Sequence, residues 1–198
     1  MIRERIEWSQ FYWFDSDRSD LKRVLLIGDS IVAGSRDEAA KILVGKATVA
    51  AFSTSKIVGD PAIQRELMLA LADYPIDFIY FNNGLHGLDY DDAFYRRGLE
   101  EFIDFLALTS RAGLCWRHST PITVSGKPEA FDVRNEIVIR RNAIAAEVMG
   151  ARGIPVDDMY GVVANRPEIS SGDGFHYTAE GNRIIAGHAA ETITRLWL

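Results

Sequence analysis

Two short stretches far apart in the chain carry the side chains best suited to covalent chemistry. Ser30 ends the run Val24-Leu25-Leu26-Ile27-Gly28-Asp29-Ser30. Four apolar residues bounded by a glycine read as a strand buried on both faces, as in parallel sheets with helices above and below. A serine just past the carboxyl end of such a strand sits where open α/β sheets place their ligands, and a glycine there permits a tight turn. Taken alone, the same residues also make an ordinary strand-to-helix turn in which Ser30 caps the next helix. The second stretch is Ser171-Gly172-Asp173-Gly174-Phe175-His176-Tyr177-Thr178. Asp173 and His176 can share one turn and face the same side. A serine hydroxyl is a weak nucleophile until a base takes its proton, and imidazole is suited to that task near neutrality. The carboxylate would hold the ring in one tautomer and stabilise its charged form. Alone, the Asp-His pair reads equally as a solvated turn that ties down a loop.

The elements that must bring these stretches together are legible from periodicity and punctuation. Strands are expected at 23–28, 46–52, 77–82, 112–118 and 154–157, the last near an edge because of Pro155. Helices are expected at 36–44, after Asp60-Pro61, after Asp91-Asp92, at 134–150, and from Thr178 to the carboxyl end. Trp8 to Phe14 concentrates aromatic residues and reads as an amino-terminal flap over one edge of the core. The Ser119 to Asp132 loop is long enough to be functional or mobile. Strand and helix alternate five times, so the expected fold class is α/β, a doubly wound sandwich of one domain spanning 1–198, with 1–20 as an aromatic-rich extension packed on the core. Right-handed crossovers put Ser30, the Ser53 to Gly59 loop and Asn82-Asn83 in one crevice.

Composition narrows the function classes. The 198 residues are 47% hydrophobic and 25% charged, with a net charge of -6. That sign offers no footprint for nucleic acid or an anionic membrane. Cys115 alone cannot form an internal disulfide and reads as a buried small hydrophobe. His118 and His188 have no partner at ligand spacing, so no metal site is expected. Phosphate-cradling glycine motifs are absent, which leaves a nucleotide cofactor unsupported. A charged start that leads to no apolar segment, and no run of membrane-spanning length, make a cytoplasmic protein without a membrane span the expectation. Oligomeric state is not legible.

In order and spacing, Gly28-Asp29-Ser30, an asparagine after the third strand, and Asp173-x-x-His176 before the final helix resemble the SGNH/GDSL hydrolases, serine esterases on a flavodoxin-like three-layer α/β/α sandwich. The resemblance covers nearly the whole chain. Within that family it is similar to a branch with the pattern Phe81-Asn82-Asn83-Gly84-Leu85-His86 in the third block. It implies a five-stranded parallel sheet in the order 2-1-3-4-5, with Ser30 as nucleophile, His176 as base and Asp173 as its orienting acid. It also implies an oxyanion hole from the Ser30 N–H, a second-block glycine N–H and an asparagine side-chain amide.

The third block departs from the family's Gly-x-Asn-Asp, and the second block has its glycine late. Asn82 is favoured for the oxyanion hole because it ends the strand, with Asn83 as the alternative, since neighbouring strand side chains point to opposite faces. Gly59 is the second-block candidate, with a backbone N–H near Thr54 or Ser55 as its rival. His86 could touch substrate, although a histidine in a glycine loop more often bonds nearby backbone. Asp29 is a further weak candidate for substrate binding. Trp116 fits core or crevice wall. The expected activity is cleavage of small carboxylic esters through an acyl-enzyme, acetyl groups on a carbohydrate among them, on a small-molecule substrate without a cofactor. The alternatives are a thioesterase or lipid esterase, or a catalytically silent member that binds a glycan or protein.

Overall fold

The structure is a computed structural model that describes residues 1–2 and 4–198. Its strands are β1 (Ser9–Phe14), β2 (Lys22–Gly28), β3 (Ala47–Thr54), β4 (Phe78–Phe81), β5 (Gly113–Arg117), β6 (Thr123–Val124), β7 (Lys127–Phe131) and β8 (Val156–Asp157). Its helices are α1 (Ser30–Leu43), α2 (Pro61–Asp73), α3 (Asp92–Thr109), α4 (Asn135–Ala151), α5 (Met159–Val163) and α6 (Ala179–Trp197). Six strands form one sheet in the order β1-β3-β2-β4-β5-β8, while β6 and β7 make a separate hairpin. The five strands expected from the sequence are parallel and keep the expected order. β1 adds a sixth. It runs antiparallel along β3, with Phe11 opposite Phe52, and the two rings stack with centroids 4.8 Å apart. The flap expected over residues 8–14 is therefore an edge strand that turns Phe11 and Trp13 inward.

Each central strand feeds two cores because successive side chains point to opposite faces. Val24, Leu26, Tyr80 and Cys115 pack against α1, α5 and α6. Leu25, Ile27, Ile79, Phe81 and Trp116 pack against α2, α3 and most of α4. That all-round burial is why β2 lacks polar alternation. Trp116 is fully buried, so it belongs to the core and not to a crevice wall. Burial pushes the Cys115 thiol up to about 12, with Asp157 adding to the rise. This leaves it a packed hydrophobe instead of a nucleophile. Among the described residues no helix is long and apolar enough to cross a membrane.

Caps set the helix starts. The Asp60 carboxylate accepts from the Ala62 N–H at 2.9 Å, with Pro61 in the first turn, and Thr178 Oγ1 accepts from the Gly181 N–H at 3.2 Å. The first helix begins earlier than its periodicity suggests. Asp29, in extended conformation, caps it through Oδ1 on the Ile31 N–H at 2.9 Å, and Ser30 is its first residue. The Gly34-Ser35 pair hid that turn, because glycine and serine favour a loop on propensity alone. The Ser119–Asp132 loop contains the β6–β7 hairpin. The loop after β3 is locked against α3, where a Cβ on Gly98 would lie 2.6 Å from the Gly59 nitrogen and 2.7 Å from the Val58 carbonyl carbon.

Gly98→Ala is therefore expected to destabilise the protein by about 1–3 kcal/mol, since backbone cannot yield as a side chain can. Gly150→Ala, whose added Cβ meets nothing within 4 Å in α4, should instead stabilise by up to ~1 kcal/mol. Urea unfolding midpoints of the two variants check the contrast.

Candidate active site

β2 ends directly beneath the first turn of α1, so Ser30 leaves the sheet at the positive end of a helix dipole, among N–H groups that have no partner within the helix. His176 reaches it from the opposite wall. The Ser30 Oγ lies 2.8 Å from His176 Nε2, and His176 Nδ1 lies 2.6 Å from Asp173 Oδ2. A carboxylate can only accept, so Nδ1 carries the hydrogen, and neutral imidazole then accepts the serine hydroxyl proton at Nε2. The other carboxylate oxygen, Oδ1, accepts from the backbone N–H of Phe175 at 2.9 Å and of His176 at 2.8 Å. Desolvation raises the Asp173 carboxyl. The N–H groups of His176 and Phe175 and the imidazole together outweigh it and hold the group well below the usual carboxylate range.

The side chains of Asp173 and His176 are 52% and 47% exposed, so burial does not hold them. Backbone does. The Thr123 N–H of the hairpin donates to the Gly174 carbonyl at 2.9 Å, and the Gly126 N–H donates to the Gly172 carbonyl at 2.8 Å. Gly174 has φ 96°, and a Cβ there would lie 2.6 Å from the Thr123 carbonyl oxygen. The long Ser119–Asp132 loop, expected to be functional or mobile, is thus the clamp on the Asp-x-x-His turn.

Ser30 and His176 open on a cleft of about 470 Å³ whose walls include Ile2, Glu4, Leu85, His86, Tyr90, Arg134 and Phe175. Several of these carry no motif, and pairing explains their place. Glu4 Oε1 meets His86 Nδ1 at 2.8 Å, the Ile2 N–H donates to the Tyr90 hydroxyl, and Trp8 stands edge-on to the His86 ring. Ile2 and Glu4 thereby form part of one wall of the cleft. His86 lines it with an acid from the amino terminus as partner, not the nearby backbone. Arg134 is held by Asp132 at 2.8 Å and lies over the Phe175 ring. Fully buried Arg141 shapes the loop beneath by donating to the carbonyls of Gly84, His86 and Gly87 at 3.1, 2.8 and 2.7 Å. Nothing in the sequence singled it out except its place on the inward stripe of α4.

Other expected site residues lie elsewhere. Asn82 Nδ2 donates to the Arg117 carbonyl at 2.7 Å and to Ser119 Oγ at 3.0 Å, so both of its hydrogens are committed inside the fold. Asn83 ties down the neighbouring loop, accepting the Val58 N–H at 3.0 Å and donating to the Lys56 carbonyl at 2.7 Å. Gly59, at φ 89°, faces Phe94 and Gly98 of α3. None of the three lines the cleft over Ser30. Asp29 is 1% exposed and caps α1, so it does not face a substrate. His118 and His188 do have partners, Asp158 at 3.2 Å and Asp157 at 2.8 Å, and both pairs pin the chain at β8. Among the described residues no group of three or more His, Cys, Asp or Glu is gathered as metal ligands.

No protein-family model matches the sequence, and no curated protein is similar enough to it to count as a match. Solved structures do share its fold. An aryl esterase from M. smegmatis superposes with a TM-score of 0.73 at 15% identity, over 88% of this chain and 99% of its own. A member of the lipolytic G-D-S-L family from Veillonella parvula gives 0.70 at 16% identity, over 88% and 100%. A carbohydrate acetylesterase from Sinorhizobium meliloti gives 0.69 at 15% identity, over 89% and 100%. The fold is that of the SGNH hydrolases.

Gly174→Ala is expected to cost about 1–3 kcal/mol from strain at positive φ. In a chain of this size that lowers the melting temperature by roughly 2–12 °C, at about 2–4 °C per kcal/mol. Scanning calorimetry checks it, and an unchanged transition would show that the turn is not clamped as described.

Proposed function

We propose that this chain is a serine esterase of the SGNH hydrolase family, and the observation that carries the reading is the hydrogen-bonded series Ser30–His176–Asp173 opening on a cleft. In this reading Ser30 Oγ attacks the ester carbonyl while its proton passes to His176 Nε2. The tetrahedral intermediate collapses as the imidazolium returns that proton to the departing alcohol. Water, deprotonated by the same nitrogen, then attacks the acyl-enzyme, and the acid leaves. Asp173 remains ionised throughout and stabilises the imidazolium through Nδ1. The developing oxyanion faces the Ser30 N–H and the first turn of α1, whose aligned peptide dipoles favour negative charge. Asn82, Asn83 and Gly59 support this arrangement from behind by holding the strand ends and loops.

The cleft is of the size that binds a small molecule. An acetyl group fills only a small part of it, and the remainder has the aromatic and polar lining suited to a sugar: Tyr90, Phe175, Glu4, His86, Asp89 and Arg134. The substrate class is therefore a short acyl ester, acetyl on a carbohydrate alcohol. The acetylesterase with the same fold supports that choice.

Hydrolysis of a series of nitrophenyl esters from acetyl to dodecanoyl tests both points. Acetyl should be preferred, and Ser30→Ala should lower kcat by at least about 10,000-fold, the scale of losing a triad nucleophile, with an unchanged melting temperature. A preference for long acyl chains would indicate a lipid esterase. A fully active Ser30→Ala protein would sink the serine mechanism.

A further inference from the structure

Behind the nucleophile lies a charge that the reaction scheme above does not use. Arg117, the last residue of β5, is 2% exposed, and its Nε and Nη2 have no partner among the described residues. Nη2 lies 3.6 Å from where a Cβ on Gly28 would be, directly under the turn that carries Ser30. Next to Gly28, Asp29 is 1% exposed, and its Oδ2 also has no partner. The buried Asn82 Oδ1 is likewise without one. Leaving a guanidinium and a carboxylate uncompensated in one interior is costly, and opposite charges that share it stabilise each other even when water bridges them. Burial pushes the Tyr177 hydroxyl up to about 12, while Arg117 draws it down and Asp29 raises it, so both charges act on the same phenol.

A rival counter-charge exists. Asp157 stands beside Arg117 in the register of β5 and β8. Its oxygens, however, already accept from the Tyr80 hydroxyl, His188 Nε2 and Thr192 Oγ1. Three donors thus occupy most of the acceptor sites of Asp157, whereas Asp29 Oδ2 accepts from nothing among the described residues.

We infer that Arg117 is a positioning residue for the proposed reaction: it compensates the buried charge of Asp29, and so holds the Ser30 turn in place and keeps it free of net negative charge. The inference rests on the serine-esterase reading for its kinetic part only. With Arg117 neutralised, the Asp29 carboxylate beside Ser30 opposes the oxyanion, which exists in the transition state and not in the bound ester. The loss therefore falls on kcat and not on KM.

A double-mutant cycle on the full chain tests this. Arg117→Met should lower the melting temperature, and lower kcat by about tenfold or more with KM nearly unchanged, a loss short of that for a direct oxyanion donor. Arg117→Lys, which keeps the charge, should recover most of the kcat. Asp29→Asn preserves the helix cap, so the double variant Asp29→Asn with Arg117→Met should melt higher and turn over faster than Arg117→Met alone. A double variant no more stable than Arg117→Met, or one that fails to fold, overturns the inference. So does a rescue by Asp157→Asn in place of Asp29→Asn. The melting data stand whether or not the protein hydrolyses esters. Additive melting with intact ester hydrolysis would sink this inference alone, and coupled melting without hydrolysis would sink only the esterase reading.

Discussion

The bond from His176 Nδ1 to the Asp173 carboxylate is the constraint on which the rest depends. A carboxylate kept ionised by two backbone N–H groups can only accept, so it decides which ring nitrogen is protonated and points the other at Ser30. Because this pair is exposed, its geometry comes from the backbone around it: glycines at positive φ, the β6–β7 hairpin, and the cap that starts α6. Each is a local device that a flexible surface turn would otherwise lack.

The sheet supplies the complementary half. Parallel strands place their carboxyl ends along one edge, and the turn after β2 starts a helix there. Ser30 is thus held by secondary structure and His176 by a clamped loop. The two meet because α1 and α6 pack side by side on the same face of the sheet. The cleft beside them is completed by the 84–90 loop, held from below by Arg141, and by Ile2 and Glu4.

Much of this was legible in the sequence, and the exceptions share a cause. Buried strands and capped helices announce themselves through local pattern, which is why most elements could be read from the residues. The strand order and the grouping of Ser30, Asp173 and His176 came instead from the resemblance to the SGNH/GDSL hydrolases, since each stretch alone also fits an ordinary turn. Pairings across long distances leave no local trace. Glu4 with His86, Arg141 with the carbonyls of the 84–90 loop, and the histidines at 118 and 188 with their acids could not be seen from neighbours. Asn82 misled for a related reason. Its type and place at a strand end suit an oxyanion donor, yet its amide is drawn inward by the Arg117 carbonyl and Ser119, whose proximity only the fold creates. The aromatic run at 8–14 showed that it packs, but not that it pairs with β3.

The most direct measurement of the central claim is a crystal structure of the protein after reaction with an active-site-directed alkyl phosphonate, which mimics the tetrahedral intermediate on a serine. The account expects phosphorus bonded to Ser30 Oγ, one phosphoryl oxygen against the Ser30 N–H at the first turn of α1, and His176 still bridging to Asp173. An adduct on another residue, or a phosphoryl oxygen held by the amide of Asn82 or Asn83 with the first turn of α1 left unengaged, would contradict it.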